Sequence, residues 1–241
     1  MTGYVDLHCH YLPGIDDGVR THTEGVQLIQ RLRDIGYRRV VATPHIRSAM
    51  FENTRAGLER AFREFSDAVS DRSDLPELGL GAEHFFDDAF WRLHQTNETV
   101  PYPGGHAVLI EFSRRSLPVR LAERLFDIQV KGIRPVLAHP ERYAPLFRKS
   151  DELEPLVEGG SLPLLDLMSL SGKYGRRPKK AAERILKEGF YYAACSDCHR
   201  PEDVDLVAEA IRRLRKLVGD HEAESLLRER PQAILEGQID W

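Results

Sequence analysis

Residues 4–10 read YVDLHCH and lead directly into YLPGIDDG at residues 11–18. In an extended strand, side chains two positions apart project to the same side, so His8 and His10 can bind one cation together. Taken alone, a His-x-His pair is more often an ordinary surface feature, and an Asp-Asp pair before glycine, such as Asp16 and Asp17, is usually a turn. The segment becomes informative because the same pattern, an apolar strand that ends in a ligand-type side chain, recurs along the chain.

Six further β-rich runs follow, separated by amphipathic helical patterns. Strands are predicted at residues 4–10, 39–45, 77–85, 106–113, 133–142, 162–168 and 191–199, and helices at residues 21–35, 53–71, 87–94, 118–131, 153–158, 178–188, 201–218 and 221–235. Thr21 followed by Glu24 predicts a capping box at the first helix. Seven strand–helix alternations predict one α/β domain over residues 1–241, with parallel strands and crossover helices. The alternation leaves both a barrel and an open doubly wound sheet possible.

The bulk composition excludes several classes of protein. Of 241 residues, 41% are hydrophobic and 30% charged, which is typical of a globular chain with a real core. The net charge of -4 argues against nucleic acid or an acidic membrane surface as a partner. No apolar stretch reaches the roughly 18–20 residues of a membrane span, and no secretory signal is evident. Three cysteines beside histidines or aspartates predict reduced thiols in a cytoplasmic protein.

Side chains that bind metals gather at the predicted carboxyl ends of the strands. In a parallel barrel these ends converge on the rim that carries the active site. A glutamate there would be a buried charge that is costly unless a cation compensates it. Imidazoles mixed with carboxylates suit Mn, Fe or Zn better than a thiolate site would. The strand-end donors are His8, His10, His45, Glu83, Glu111, His139, Asp197 and His199.

Other histidines and cysteines receive a plainer interpretation. His84 and His106 are predicted to be bystanders, and Cys9 is predicted to be a small core residue on the opposite side of its strand from His8 and His10. A cysteine-dependent tyrosine phosphatase would need an arginine six positions after the nucleophile. The residues six positions after the three cysteines are Ile15, Pro201 and Val204. That mechanism is therefore excluded.

Arginines also follow the strand ends, although the chain is acidic as a whole. They are Arg47, Arg114, Arg115, Arg142 and Arg200. A guanidinium group can bind phosphate through two parallel hydrogen bonds. Arginines beside a divalent metal site therefore indicate a phosphate-containing substrate.

Together these motifs resemble the PHP (polymerase and histidinol phosphatase) superfamily, and within it the bacterial protein-tyrosine phosphatases of capsule and exopolysaccharide operons. The matching phrases, in the family's order from residue 5 to residue 199, are VDLHCHYLPGIDDG, ATPH, GLGAEH, LIEFS, LAHPERY, SLSGKYG and CSDCH. The resemblance implies a distorted (β/α)7 barrel with three divalent metal ions, Mn being expected and Fe or Zn possible. One departure is visible in LLDLMSLSG, where a small polar residue such as Asn is expected. Asp166 or Ser169 there would alter contacts on the substrate side.

The resemblance also implies a role for individual residues. The first metal would be held by His8, His10, Glu83 and Asp197, the second by Glu111 and His139 with Glu83 bridging, and the third by Asp17, His45 and His199. The choice of Asp17 over Asp16 rests on the resemblance alone. Arg142 is expected to contact the phosphate, with Arg47 and Arg200 as further substrate-binding residues, and Asp197 or His199 is a candidate to protonate the leaving group.

The activity implied is metal-dependent hydrolysis of phosphotyrosine on a bacterial tyrosine kinase of polysaccharide export, and hence regulation of capsular or exopolysaccharide synthesis. Two alternatives stay open. One is a PHP phosphoesterase that acts on a small phosphomonoester such as histidinol phosphate. The other is a non-catalytic binding domain that kept the fold. Relative rates on the two substrates separate the first alternative, and a metal assay separates the second.

Overall fold

The computed structural model describes residues 3–239, so the two residues at each end of the predicted 1–241 domain lie outside the described residues. The strands are β1 (Tyr4–Cys9), β2 (Tyr37–Ala42), β3 (His45–Ile46), β4 (Glu77–Leu80), β5 (Glu83–Phe85), β6 (Ala107–Glu111), β7 (Arg134–Ala138), β8 (Leu162–Asp166) and β9 (Ala193–Cys195). The helices are α1 (His22–Asp34), α2 (Arg55–Ala68), α3 (Asp88–Gln95), α4 (Leu121–Val130), α5 (Glu154–Glu158), α6 (Leu167–Ser171), α7 (Arg176–Lys187), α8 (Asp203–Glu224) and α9 (Arg230–Glu236). Helices begin near the predicted positions, and the Thr21–Glu24 capping box is confirmed.

The strands form two parallel sheets arranged as an incomplete ring. One sheet has the order β1-β2-β4 and the other has the order β3-β5-β6-β7-β8-β9. The first and last strand positions approach one another, because His10 N donates to Cys198 O at 2.9 Å and Asp197 N donates to His8 O at 2.9 Å. Seven strand positions therefore surround one interior without a continuous ladder between all of them. The predicted α/β fold with a distorted barrel is confirmed.

Two predicted strands, at residues 39–45 and 77–85, are each broken into two shorter strands, so the single-strand predictions were wrong. Pro44 has no backbone N–H to donate to a ladder, and β2 ends before it. The chain resumes as β3, which pairs with β5 such that His45 lies opposite Glu83. An apolar pattern does not reveal this jog. Its consequence is that an imidazole and a carboxylate become direct neighbours at the rim.

Three other predicted strands end earlier than expected. Residues 133–142 continue past β7 as a 3₁₀ turn, Pro140–Arg142, and residues 162–168 continue past β8 as α6. The run 191–199 is a strand only over β9. His139 and Asp197, which follow β7 and β9, adopt positive φ angles of 35° and 49°. Such conformations are uncommon for residues other than glycine, and they turn the chain sharply where the candidate ligands stand.

The core has an inner and an outer part. Alternate strand residues such as Leu7, Leu109 and Leu164 pack inside the ring, and Leu235 of α9 packs with them. The outer part lies between the sheets and the helices and includes Cys9, so the prediction that Cys9 is a core residue is confirmed. The predicted helix at residues 221–235 is the end of α8, a π turn at Ser225–Glu229 and α9. Among the helices within residues 3–239, none is both long and apolar enough to cross a membrane.

Candidate metal centre

The candidate ligands meet at the carboxyl ends of the strands, around the side chain of Glu83. Its Oε2 lies 3.0 Å from His8 Nε2 and 3.1 Å from His45 Nδ1. Its Oε1 lies 2.9 Å from His139 Nε2. Only 1% of this glutamate is exposed. Although burial opposes ionisation, the charges of His8 and His45 hold the pKa of Glu83 well below its ordinary value. We call Glu83 and the eight residues around it the strand-end cluster: His8, His10, Asp17, His45, Glu83, Glu111, His139, Asp197 and His199.

Within the strand-end cluster, His8, His10 and Asp197 form one compact group. Asp197 Oδ1 lies 3.3 Å from His8 Nε2 and 3.4 Å from His10 Nε2. The two Nε2 atoms are 3.1 Å apart. His8 and His10 thus aim their ring nitrogens at one point, as the His-x-His spacing predicts.

A second group brings His45 and His199 to Asp17 and His10. Asp17 Oδ1 lies 3.4 Å from His45 Nε2 and 3.4 Å from His199 Nε2. Hydrogen bonds from His199 and His45 lower the pKa of Asp17 far below its usual range. The rings of His10 and His199 are stacked, with centroids 4.0 Å apart.

The structure gives Asp16 and Asp17 different positions. Asp16 Oδ2 accepts a hydrogen bond of 2.7 Å from His10 Nδ1 and one of 3.0 Å from His45 N. Burial opposes ionisation of Asp16, but the charge and hydrogen bond of His10 lower its pKa to about 2. Asp16 thereby fixes the tautomer of His10 and directs its Nε2 toward the cluster, as a supporting carboxylate does in metal sites. Asp17 instead presents its carboxylate to the two other imidazoles.

Glu111 completes a third group with His45 and Glu83. Its Oε1 lies 3.6 Å from His45 Nδ1. Burial and the neighbouring Glu83 raise the pKa of Glu111 to about 7. The family resemblance associates Glu111 with His139. In the structure Glu111 lies beside His45, whereas His139 contacts Glu83. Burial lowers the pKa of His139 to about 4, which keeps this imidazole neutral and able to bind a cation.

The donor set fits divalent cations. Among the residues that the structure describes, buried Glu111 Oε1 has no hydrogen-bond partner, and His45 Nδ1 has none although a Glu83 oxygen lies 3.1 Å away. A buried polar atom left unpaired costs about 1–3 kcal/mol. The two buried carboxylates repel each other, and the imidazole nitrogens converge on them. Bound divalent cations would offset this repulsion and would be ligated by both kinds of side chain. Nitrogen and oxygen donors without a thiolate suit Mn, Fe or Zn.

Arg142 lies beside the strand-end cluster and is itself nearly buried. Its Nη1 donates to Asp197 Oδ2 and lies 3.4 Å from Asp166 Oδ2. Its guanidinium carbon stands 4.3 Å from the ring centroid of Tyr174. The unexpected Asp166 therefore contacts the arginine expected to bind phosphate, rather than the cluster itself. The contacts with Asp197, Asp166 and Tyr174 hold the guanidinium group of Arg142 at the edge of the cluster.

Two residues of the HPERY phrase that surround Arg142 escaped the sequence reasoning. Glu141 is fully buried, with Oε1 accepting from Ser169 Oγ at 2.8 Å and Oε2 accepting from Tyr191 Oη at 2.9 Å. Tyr143 Oη donates to a backbone carbonyl of β7's end at 2.7 Å and accepts from Phe112 N at 3.1 Å. Both fasten the turn after β7 to its neighbours. A charged residue in a turn ordinarily indicates solvent, so no local signal marked Glu141 as buried.

The two other predicted substrate-binding arginines lie in different clefts. Arg47 lines a cleft of about 400 Å³ together with Asp17, His45 and Glu111. Arg200 is exposed and lines a separate cleft with Arg20. The structure thus brings Arg142 and Arg47 to the cluster, and it places Arg200 in a cleft that Gly18 and Val19, just after Asp17, also line.

His84 and the three cysteines take structural positions. His84 Nδ1 donates to Leu109 O at 3.1 Å, and its Nε2 accepts from Val100 N at 3.1 Å. Cys9, Cys195 and Cys198 are free and buried, and burial raises the pKa of each thiol. A buried thiol with a raised pKa is a poor nucleophile.

Comparisons with known proteins point in one direction. A family model described as capsular polysaccharide synthesis, CpsB/CapC, matches residues 4–236. The tyrosine-protein phosphatase YwqE of Bacillus subtilis (strain 168) is 31% identical over 97% of this chain and 92% of its own. The tyrosine-protein phosphatase CpsB of Streptococcus pneumoniae is 26% identical over 98% of this chain and 99% of its own.

Solved structures agree with these relatives. A chain from the crystal structures of YwqE and CpsB, described as unique metal-dependent tyrosine phosphatases, superposes with a TM-score of 0.89 at 25% identity, covering 98% of this chain and 96% of that one. The phosphotriesterase homology protein of Escherichia coli, complexed with phosphate, gives a TM-score of 0.61 at 15% identity, with 95% and 97% coverage. The second likeness concerns the fold alone.

Proposed function

The chain belongs to the CpsB/CapC family of capsular polysaccharide synthesis proteins, and from this premise we propose that it is a metal-dependent protein-tyrosine phosphatase. The observation that carries the proposal is the strand-end cluster, in which the buried Glu83 contacts His8, His45 and His139. Relatives named tyrosine-protein phosphatases match over nearly the whole chain and support the substrate class.

We assign three divalent cations to the cluster, with Mn as the expected metal and Fe or Zn as alternatives. Three groups of side chains, which share His10 and His45, support the number. The groups are His8, His10 and Asp197; His10, Asp17, His45 and His199; and His45, Glu83 and Glu111, with His139 at the other oxygen of Glu83. When bound, such cations lower the pKa of water toward neutrality and offset charge on a phosphoryl group.

Arg142 supplies the fixed positive charge for the phosphate. Its guanidinium group can donate two parallel hydrogen bonds to phosphate oxygens. Asp197, Asp166 and Tyr174 hold it before substrate arrives, so little reorganisation is needed in the transition state. Fixing such a donor in advance is the main way in which a protein stabilises a phosphoryl transition state.

The two residues considered for protonating the leaving group are poorly suited to that task. His199 Nδ1 donates to the carbonyl oxygen of Asp197 at 3.0 Å, and its Nε2 lies 3.4 Å from Asp17 Oδ1, so both ring nitrogens already have partners within the cluster. Although burial opposes ionisation, the charges of His8 and Arg142 are among those that hold the pKa of Asp197 well below its ordinary value. A phenol has a pKa of about 10 and can leave without a strong acid, whereas an alcohol depends on one. This favours phosphotyrosine over histidinol phosphate.

We further propose that residues 1–241 form a single PHP phosphoesterase domain that acts in the cytoplasm. The family resemblance supports a phosphotyrosine-bearing bacterial tyrosine kinase of polysaccharide export as its partner. Its dephosphorylation would regulate capsular or exopolysaccharide synthesis.

The function is tested with purified protein on a phosphotyrosine peptide and on histidinol phosphate, with added Mn²⁺ and with a chelator. We expect chelator-sensitive turnover that favours the peptide and is lost in His139→Ala. His221→Ala, an exposed histidine on α8, is the matched control and should retain activity. Turnover confined to histidinol phosphate would assign the small-molecule reaction instead. Metal binding with no turnover of either substrate would indicate a non-catalytic domain.

A further inference from the structure

A cleft beside the strand-end cluster carries positive charge that the fold itself does not use. We call it the arginine cleft and define it by Arg47, Arg114, Arg115, Phe51 and the cluster residues Asp17 and Glu111. Its volume is about 400 Å³. Three cluster members, Asp17, His45 and Glu111, line it, so a ligand that reaches the cluster from this side lies in the arginine cleft.

Arg114 and Arg115 are exposed, and within residues 3–239 neither makes an ion pair. Many surface arginines elsewhere are paired, as with Arg31 and Asp205, Arg55 and Glu59, Arg72 and Asp74, and Arg120 and Glu123. Two arginines that are adjacent in the chain, line one cleft and lack a counter-charge raise the positive potential there, which favours a bound anion. In a chain with a net charge of -4, this concentration of unpaired cations next to the cluster calls for an anionic ligand.

Arg47 differs from its two neighbours because its position is fixed. Its guanidinium carbon stands 4.1 Å from the ring centroid of Phe85, and its Nη1 lies 3.9 Å from Glu111 Oε1. Arg47 thus contacts the cluster through Glu111 and lines the same cleft as the unpaired arginines. It extends the positive charge of the cleft from the reaction centre outward.

The arginine cleft also offers an aromatic surface. The ring of Phe51 stacks on the imidazole of His45, with centroids 5.2 Å apart and an interplanar angle of 11°. Phe51 is held in place because its backbone exchanges two hydrogen bonds of 2.9 Å with Arg47. An aromatic ring of a ligand can pack against Phe51 while its phosphate reaches the cluster.

Resting on the proposed phosphatase function, we propose that the arginine cleft selects phosphotyrosines flanked by acidic residues. The tyrosine ring packs against Phe51, and Arg114 and Arg115 bind the carboxylate of a neighbouring Asp or Glu of the substrate. Histidinol phosphate has an aromatic imidazole but no carboxylate, so it lacks the contact with Arg114 and Arg115. The cleft therefore separates a phosphorylated protein segment from a metabolite by binding energy that lies outside the reacting group.

The test compares two phosphotyrosine peptides that differ only in their flanking residues, Glu in one and the neutral isostere Gln in the other. The wild-type protein should hydrolyse the Glu peptide with about tenfold higher kcat/KM than the Gln peptide, because each exposed charge pair contributes about two- to fivefold and two pairs are formed. The difference should lie mainly in KM. In Arg114→Gln/Arg115→Gln this ratio should fall to about one. Both peptides are assayed on the same preparation, so a partly unfolded variant does not change the ratio.

Two further variants sharpen the result. Arg212→Gln/Lys216→Gln removes an equal number of positive charges, two, from the exposed face of α8 and should keep the wild-type ratio of the two rates. Arg114→Glu/Arg115→Glu should favour a Lys-flanked peptide over the Glu peptide. Equal rates on the Glu and Gln peptides in the wild type, or a ratio that survives in Arg114→Gln/Arg115→Gln, would overturn this inference and leave the phosphatase function intact. Hydrolysis of neither peptide would overturn both.

Discussion

Glu83→Gln is expected to remove the share of thermal stabilisation that at least one bound divalent cation gives the protein. The two carboxylate oxygens contact His8, His45 and His139 at 2.9–3.1 Å, and Glu111 lies in the same group. Glutamine keeps the size of the side chain but carries no charge, and its amide NH₂ cannot bind a cation. The substitution therefore changes the electrostatics at the centre of the cluster with little change in packing.

The size of the effect follows from ligand linkage. A site that binds only the folded state stabilises it by about 2.7 kcal/mol when the free cation is at 100 times Kd. In a domain of this size, 1 kcal/mol shifts the melting temperature by about 2–4 °C. Each saturated site should therefore raise the melting temperature of the wild type by about 5–11 °C, and Glu83→Gln should lose at least one such increment.

The assay is thermal unfolding of chelated protein, repeated after Mn²⁺ is added. Measuring each variant against its own chelated state removes any effect of the substitution on the metal-free fold. Glu77→Gln is the control, because Glu77 forms a partly exposed ion pair with Arg39 far from the cluster and should keep the full shift. An equal metal-induced shift in Glu83→Gln and in the wild type would refute the central place of Glu83.

Three other substitutions test separate parts of the site. Asp17→Asn should lower the number of metal ions bound per chain. Asp16→Asn should keep that number but weaken metal affinity by about 10–100-fold, because His10 loses the carboxylate that orients it. Metal titration with elemental analysis distinguishes the two outcomes. Arg142→Lys should lower kcat/KM on a phosphotyrosine peptide by about 10²–10³-fold without changing metal content, and an unchanged kcat/KM would remove Arg142 from phosphate binding. Tyr143→Phe leaves a buried amide and carbonyl without their hydroxyl partner, so the free energy of unfolding in urea should fall by about 1–3 kcal/mol; no loss would show that water replaces the hydroxyl.

Much of the cluster could be predicted because it depends on strand ends. Apolar runs such as VVA and PVLA mark parallel strands covered on both faces, and the residue after each run stands at the rim. His139 follows such a run directly, and His45 follows one after Thr43 and Pro44. The prediction that His8 and His10 project to the same side is likewise confirmed, because it depends only on a locally extended backbone. The family resemblance narrowed the choice between a barrel and an open sheet, which the alternation of elements left undecided.

What the sequence did not reveal depends on contacts between distant segments. The break at Pro44 matters because it sets His45 opposite Glu83, and nothing near Pro44 in the chain specifies that register. Glu141 lies in a turn phrase, yet it is buried because Ser169 and Tyr191 supply its hydrogen bonds. The placement of Arg200 in another cleft follows from the loop geometry after β9, which no periodicity encodes.

The central claim is that cations held by the strand-end cluster make the protein a tyrosine phosphatase. The most direct test is to remove metal with a chelator, return Mn²⁺ in steps, and measure bound metal and hydrolysis of a phosphotyrosine peptide in the same samples. We predict negligible turnover in the metal-free protein and a rate that rises with occupancy until the cluster is full. Full turnover in protein that holds no metal would contradict the claim.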